Sequence, residues 1–212
     1  MSIFKNKKNE RNRYFNEGWF GRHPGVYEFA SFFISPIRKL AVKKMGIKKL
    51  KIIDIATGTG AHALELAKLK HNVTGIDIDK KMLAKANNKI SHKLKLKFMY
   101  GDGTNIPSKE NEFDAATISF AMHDVPYDIG IRILKEAKRV VKNTGFIFIV
   151  DYNDLSNIGS RILNFFARIY ESPNYKPFVN VGLKSYLKKT GWKIEEKSTF
   201  LGAIQFVKIC SI

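Results

Sequence analysis

The sequence predicts an α/β fold built on a doubly wound, mostly parallel sheet. Beyond Lys51, short apolar runs typical of buried strands alternate with longer stretches of helical periodicity. A glycine turn follows the first of these strands and opens a helix. Such alternation implies parallel strands joined by right-handed crossovers. Two final strands are expected to pair as an antiparallel hairpin, which completes a seven-stranded, Rossmann-like sheet.

The predicted elements follow one another without an internal repeat or a second domain. Strands are expected near 51–56, 72–77, 94–100, 113–119 and 145–151, helices near 60–70, 79–91 and 127–142, and the closing hairpin at 192–199 and 201–210. Lysines alternate with apolar residues over 93–98, which protects an outer strand from edge pairing. Asn143 to Gly145 are typical of a turn that ends a helix.

Residues 1–45 are expected to form a basic helical lid, ahead of a single domain at 46–212. Apolar residues at helical spacing predict one helix, and Ser35 with Pro36 is typical of the N-cap and first turn of another. Residues 1–51 carry 13 basic and three acidic side chains. Their balance of +10 is more than half of the chain's net charge of +18. This excess predicts contact with an anionic membrane or substrate, or else serves solubility alone.

Composition excludes several classes of protein. With 212 residues, 44% of them hydrophobic and 26% charged, the chain resembles a globular protein of one domain. Its apolar runs fall short of the roughly 18 residues that a membrane-spanning helix needs, and its first residues lack a signal-peptide core. A single cysteine, Cys210, excludes an intrachain disulfide. We therefore expect a cytoplasmic protein.

The stretch from Asp54 to Gly60 predicts a nucleotide-binding turn. Gly58 and Gly60 let the backbone approach a ligand closely, and the following helix N-terminus offers unpaired N–H groups. Asp77 ends the next predicted strand, where a carboxylate can accept both hydroxyls of a ribose. Asp102 follows the third strand, so all three carboxylates are expected to face one crevice. The glycine pattern alone would also fit a NAD enzyme.

Together, these segments resemble the class I S-adenosylmethionine-dependent methyltransferases over nearly the whole chain. Residues 54–60 are similar to their first motif, 75–79 to their acidic second strand end, 100–103 to their adenine-contacting turn and 113–120 to their fourth strand. The resemblance implies S-adenosylmethionine as cofactor. It also implies these cofactor-binding residues: Asp54, Ala56, Gly58, Gly60, Asp77, Ile78, Asp102, Gly103, Ser119 and, in the lid, Tyr14.

The segment after the fourth strand is where the methyl acceptor is expected. There His123 is either a general base, with an ordinary pKa near neutrality, or a structural hydrogen-bonding residue. Asp124 is a candidate N-cap before Pro126, as Asp79 is for an earlier helix. Cysteine and histidine do not occur at metal-ligand spacing, so no metal is expected.

The carboxyl-terminal segments suggest a branch of the family. Residues 186–192 and 200–204 resemble the ubiquinone/menaquinone-biosynthesis C-methyltransferases, which implies a small or lipid-like acceptor. Residues 121–124 depart from the Gly-Leu-Arg-Asn-like segment of those enzymes. Two alternatives stay open: a methyltransferase that holds RNA or protein on its basic N-terminal surface, and a non-enzymatic protein that retains the fold. The sequence favours nucleic acid less, and it leaves the oligomeric state open.

Overall fold

The structure is a computed structural model of the 212-residue chain. It describes residues 24–46, 48–162, 165 and 171–212, with side chains from residue 34 onward. The predictions for Tyr14 and for most of the basic lid therefore lie outside the described residues. Within the described part, no helix is long and apolar enough to cross a membrane.

A seven-stranded sheet forms the centre of the described chain, in the order β3-β2-β1-β4-β5-β7-β6. The first five strands are parallel, β7 runs antiparallel to β5, and β6 pairs with β7 as the predicted hairpin. This arrangement confirms the predicted fold class and places β3 at one edge. The strands are β1 (Lys51–Ile55), β2 (Asn72–Asp77), β3 (Leu96–Tyr100), β4 (Phe113–Ser119), β5 (Val141–Tyr152), β6 (Trp192–Phe200) and β7 (Ile204–Ser211).

Helices cover both faces of this sheet. Burial of one apolar stripe holds each against the strands, as α4 shows with Ile133, Leu134 and Ala137 in the core. The side chain of Asp79 accepts hydrogen bonds from the N–H groups of Lys81 and Met82, which confirms the predicted cap of α3. The helices are α1 (Pro24–Lys44), α2 (Ala61–Lys68), α3 (Lys80–Asn87), a 3-10 turn (Met122–Asp124), α4 (Tyr127–Val140), α5 (Tyr175–Val181) and α6 (Leu183–Lys188).

The prediction that a new helix starts at Ser35 and Pro36 is wrong, because α1 continues through this point. Pro36 lacks an N–H group and so removes one hydrogen bond from the helix. Its ring is exposed, while Ala41 and Val42 one turn later are buried in the core. Tertiary packing of the helix end therefore outweighs the local effect of the proline.

The predicted turn at Asn143 to Gly145 is also wrong, because β5 begins directly after α4 at Val141. The pairing of β4 with β5 shifts here: Phe113 pairs with Val141, but Ala115 pairs with Phe146. The extra residues form an exposed bulge in the strand. A Cβ atom on Gly145 would lie 2.5 Å from the carbonyl oxygen of Asp114, so only glycine fits there.

The order of the strands determines where a ligand can bind. Strand β1 has β2 on one side and β4 on the other, so the connections leave it in opposite directions. At such a point the carboxyl ends of the strands diverge and leave a crevice. The glycine turn after β1 and the acidic end of β2 both lie at this edge.

Candidate functional site

A cleft opens at the carboxyl ends of β1, β2 and β4. Five residues predicted to bind the cofactor line it: Ala56, Asp77, Ile78, Asp102 and Gly103. Its other walls are apolar, which suits a flat ring more than a charged ligand. They consist of Ile55, Gly101, Thr104, Ile118, Ala121, Met122, Val125, Pro126, Ile129 and Ile133. We call this space the strand-end cleft.

The turn after β1 has an unusual backbone. Ala56, Gly58 and Gly60 all have positive φ angles, of 57°, 56° and 74°. A left-handed conformation is easy for glycine but costs about 1 kcal/mol or more for alanine. Ala56 therefore stores strain at the wall of the cleft, a common feature of ligand-binding turns.

Gly60 is required mainly by packing. A Cβ atom there would lie 2.4 Å from the ring of Phe98 on β3. The same ring would meet a Cβ atom on Gly75 at 2.6 Å. These two glycines let the start of α2 approach the sheet over a shared aromatic ring. Gly60 thus shapes the turn from behind, and it is not among the described residues that line the strand-end cleft.

Asp77 connects the end of β2 to the glycine turn. Its Oδ2 accepts a hydrogen bond from the N–H of Gly58 at 2.7 Å, and its Oδ1 accepts one from the N–H of Asp79 at 2.8 Å. Burial raises the pKa of Asp77, and the backbone N–H groups partly offset that rise. Each carboxylate oxygen can accept two hydrogen bonds, so each retains capacity for a ligand hydroxyl.

Asp102 fixes the loop that follows β3. Its Oδ1 accepts hydrogen bonds from both the N–H and the hydroxyl of Thr104, each at 2.8 Å. A Cβ atom on Gly103 would lie 3.0 Å from Ile55, so this loop packs closely against the end of β1. The carboxyl group of Asp102 and the backbone of Gly103 are thereby held at the wall of the cleft.

Asp54 does not line the strand-end cleft, so the expectation that three carboxylates face one crevice holds only for Asp77 and Asp102. Asp54 is buried between strands and accepts hydrogen bonds from the hydroxyls of Thr57 and Thr117, both at 2.6 Å. Burial raises its pKa to about 6 despite these hydrogen bonds. The side chain therefore ties β1 to β4 and supports the turn from inside.

Ser119 ends β4 and has a buried hydroxyl oxygen without a hydrogen-bond partner among the described residues. A buried polar group of this kind ordinarily finds a partner in protein, water or ligand. Ser119 is, however, not among the described residues that line the strand-end cleft. The apolar wall that α4 adds, Ile129 and Ile133, was missed from the sequence, although the helical periodicity of α4 marks both as candidates for burial.

His123 is held from both sides by carboxylates, in the 3-10 turn after β4. Its Nδ1 lies 2.6 Å from Oδ1 of Asp151, and its Nε2 lies 3.2 Å from Oε2 of Glu171. Burial lowers the pKa of His123, but Asp124 and Asp151 outweigh that effect and hold the pKa well above its usual range. Carboxylates at both ring nitrogens favour the protonated ring, and a protonated imidazole cannot act as a general base. This geometry favours the structural alternative for His123.

The surroundings of His123 also decide the role of Asp124. Helix α4 begins after Pro126 without a side-chain cap, so the prediction that Asp124 caps it is wrong. The carboxylate of Asp124 instead lies 3.5 Å from Nε2 of His123. The ring of Tyr152 packs edge-on against the imidazole, with 4.8 Å between centroids.

Comparison with known proteins agrees with this geometry. Residues 52–145 match the sequence family described as "Methyltransferase domain". These residues, which make up less than half of the chain, are similar to that family. They run from β1 into β5 and so include the glycine turn, Asp77, Asp102 and His123. The predicted resemblance to class I S-adenosylmethionine-dependent methyltransferases is confirmed, and with it S-adenosylmethionine as the cofactor of the domain.

A curated relative matches about half of this chain. Demethylmenaquinone methyltransferase from Staphylococcus aureus strain MRSA252 is 36% identical over 115 residues, which are 52% of this chain and 46% of the relative. Relatives with this name from other strains of the species match equally well. The chain thus spans about half the length of the curated relatives it matches.

Solved structures share the fold over a larger part of the chain than residues 52–145. A protein from Thermotoga maritima, described as a possible histamine N-methyltransferase, superposes with a TM-score of 0.68 over 92% of this chain and 99% of its own, at 20% identity. A SAM-dependent methyltransferase from Aquifex aeolicus gives 0.66 over 82% of this chain and 89% of its own, also at 20% identity. At such identities the likeness concerns the fold.

Proposed function

We propose that this protein transfers a methyl group from S-adenosylmethionine to a small or lipid-like acceptor, with a quinone-type ring as the first candidate. The observation that carries this proposal is the strand-end cleft. There Asp77 and Asp102 stand at the ends of neighbouring strands, beside a strained glycine turn. This combination of polar groups and apolar walls matches what an adenosine part requires.

The fit of the donor can be tested on the residues present. Asp77, whose two oxygens each have one backbone donor, would accept the two ribose hydroxyls. Ile78 and Ile133 would offer apolar surface to an adenine ring, and Asp102 would accept a hydrogen bond from its amino group. On these grounds the cofactor fits the site.

S-adenosylmethionine, when bound, would supply an electrophilic methyl group: the acceptor forms a bond to its carbon as the opposite carbon–sulfur bond breaks and S-adenosylhomocysteine leaves. The protein's part is therefore to hold the donor and the acceptor in line and to exclude water, and orientation alone can supply about 7–11 kcal/mol. Ala121 and Met122 contribute apolar surface at the cleft after β4. His123 lies behind this wall and fixes the turn that carries it, through its contacts with Asp151 and Glu171.

The choice of acceptor rests on the curated relative and on the cleft walls. The relative named for demethylmenaquinone is 36% identical over 115 residues, and Ala121, Met122 and Val125 after β4 add apolar surface to the cleft. An apolar ring fits such a surface better than a phosphate backbone or a charged peptide does. Residues 121–124 differ from the Gly-Leu-Arg-Asn-like segment of the quinone methyltransferases, so experiment must define the substituents of the ring. The basic N-terminal segment, of which residues 1–23 lie outside the described residues, is proposed to contact an anionic membrane where a lipid-like acceptor resides.

The experiment uses purified protein, methyl-labelled S-adenosylmethionine and a methyl-depleted extract of the native cell. The products are then separated into organic, aqueous, nucleic-acid and protein fractions. We expect label in the organic fraction, and we expect the variant Asp77→Ala to abolish it. Label in RNA or protein would overturn this acceptor and favour the alternative that the basic surface holds a macromolecule.

A further inference from the structure

Three potential metal ligands converge behind the wall of the strand-end cleft. His123 and Asp124 belong to the 3-10 turn after β4, and Glu171 belongs to the segment after β5. Nε2 of His123 lies 3.2 Å from Oε2 of Glu171 and 3.5 Å from Oδ1 of Asp124. All three ligand atoms lie within 4.8 Å of one another. None of the three is among the described residues that line the cleft.

The imidazole of His123 is oriented as metal-binding histidines are. Its Nδ1 lies 2.6 Å from Asp151 Oδ1, so the outer carboxylate fixes the ring and directs Nε2 toward Asp124 and Glu171. Asp151 is itself fully buried, and its carboxylate accepts hydrogen bonds from the N–H groups of Met122 and Tyr152. A carboxylate behind the histidine raises its basicity and is the usual outer partner of a metal ligand. These contacts of Asp151 lie at the end of β5 and do not involve Glu171.

The spacing of the ligand atoms matches the edges of a coordination sphere. Nitrogen and oxygen ligands lie about 2.0–2.2 Å from zinc or a similar ion, so neighbouring ligands at tetrahedral or octahedral angles are about 3.0–3.5 Å apart. The distances of 3.2 and 3.5 Å from Nε2 fall in this range. Small side-chain rotations would bring all three atoms within bonding distance of one ion.

The charges around His123 and the exposure of Asp124 also favour a bound cation. Three carboxylates, those of Asp124, Asp151 and Glu171, surround one imidazole, and no lysine or arginine of the described residues forms an ion pair with them. The side chains of His123 and Glu171 are 4% and 11% exposed, whereas that of Asp124 is 42% exposed. Two ligands are thus withdrawn from water, and the third leaves a route for an ion to enter.

We propose that His123, Asp124 and Glu171 bind one divalent transition-metal ion of the zinc or manganese type. One imidazole with two carboxylates is a donor set that such ions accept, and three protein ligands leave further positions open. The ion would join the turn after β4, whose Ala121 and Met122 line the cleft, to Glu171 after β5. The spacing along the chain does not predict the site, because Glu171 joins it only through the fold.

The test uses the full-length protein after removal of metal by a chelator, titrated with Zn²⁺ in a calorimeter. We expect one Zn²⁺ per chain and affinities at least a hundredfold lower in Asp124→Asn and in Glu171→Gln. Asp128→Asn is the matched control: it removes the same charge from a side chain that is 76% exposed and forms an ion pair with Arg132. That control is expected to bind Zn²⁺ as the wild type does.

Two outcomes would overturn the proposal. One is the absence of stoichiometric binding by the wild type, which would leave His123 as an ion-paired imidazolium ion. The other is equal affinity in all four proteins, which would place the bound ion elsewhere on the surface. Circular dichroism and binding of S-adenosylmethionine report whether each variant is folded. If Glu171→Gln fails to fold, Asp124→Asn still decides the result. Aspartate and asparagine have nearly the same shape, and Asp124 is partly exposed, so this variant is expected to fold.

Discussion

The carboxylate of Asp77 accepts a hydrogen bond from the N–H group of Gly58, with 2.7 Å between Oδ2 and the nitrogen. This contact joins the end of β2 to the glycine turn after β1. The two elements that would hold the ribose and the methionine part of a donor are therefore already connected. A site that is held in place before the ligand arrives loses less entropy on binding.

Replacing Asp77 tests the placement of the donor. We expect Asp77→Ala to weaken binding of S-adenosylmethionine roughly a hundredfold or more, because hydrogen bonds to a charged group contribute about 1.5–3 kcal/mol each. Calorimetric titration measures this loss, and Asp128→Ala on the exposed face of α4 is the control. Donor binding that survives unchanged in Asp77→Ala would show that the donor binds elsewhere.

Comparing alanine variants of two glycines with positive φ distinguishes the cost of backbone strain from the cost of a packing clash. Gly60→Ala places a Cβ atom 2.4 Å from the Phe98 ring at a φ of 74°, whereas Gly46→Ala meets nothing within 4 Å at a φ of 88°. Strain alone should cost Gly46→Ala about 1 kcal/mol of unfolding free energy. Gly60→Ala should lose about 1–3 kcal/mol more, because the ring must move. Urea unfolding measures both, and equal losses would contradict the packing role of Phe98.

Asp54 predicts a pH dependence of stability. Its pKa is raised from 3.8 to about 6 in the folded chain, so the folded state holds the proton more tightly than the unfolded state does. Its contribution is complete below pH 3.8 and is lost as pH rises through about 6. The loss amounts to about 3 kcal/mol, since one pKa unit corresponds to about 1.4 kcal/mol.

The variant Asp54→Asn removes this titration. Its deficit in unfolding free energy relative to the wild type should be largest near pH 4 and should shrink toward pH 7. Comparing the two proteins at each pH cancels the titration of other groups, and denaturant unfolding provides the measurement. A deficit that stays constant over this range would mean that Asp54 is not buried in its neutral form.

Local chemistry explains which parts of the fold could be predicted. The turn after β1, the acidic end of β2 and the cap at Asp79 depend on residues that are adjacent in sequence, and all three occur as expected. The outer position of β3 agrees with the alternating lysines at 93, 95 and 97, all of which are exposed, although only Lys97 lies within the strand.

The missed features depend on contacts between distant residues. The helix that continues through Pro36 is held by burial of Ala41, and the early start of β5 is held by pairing with Phe113. Neither contact leaves a local signal. The same holds for Glu171, which meets His123 only after β5 and the following segment have returned to the strand ends.

The most direct test of the central claim is calorimetric titration of the full-length protein with S-adenosylmethionine and, separately, with NAD. The account predicts one site for S-adenosylmethionine with a dissociation constant near the micromolar range, which corresponds to about −8 kcal/mol, and no binding of NAD. Tighter binding of NAD, or no binding of S-adenosylmethionine at millimolar concentration, would contradict a methyl-donor site at the ends of β1, β2 and β4.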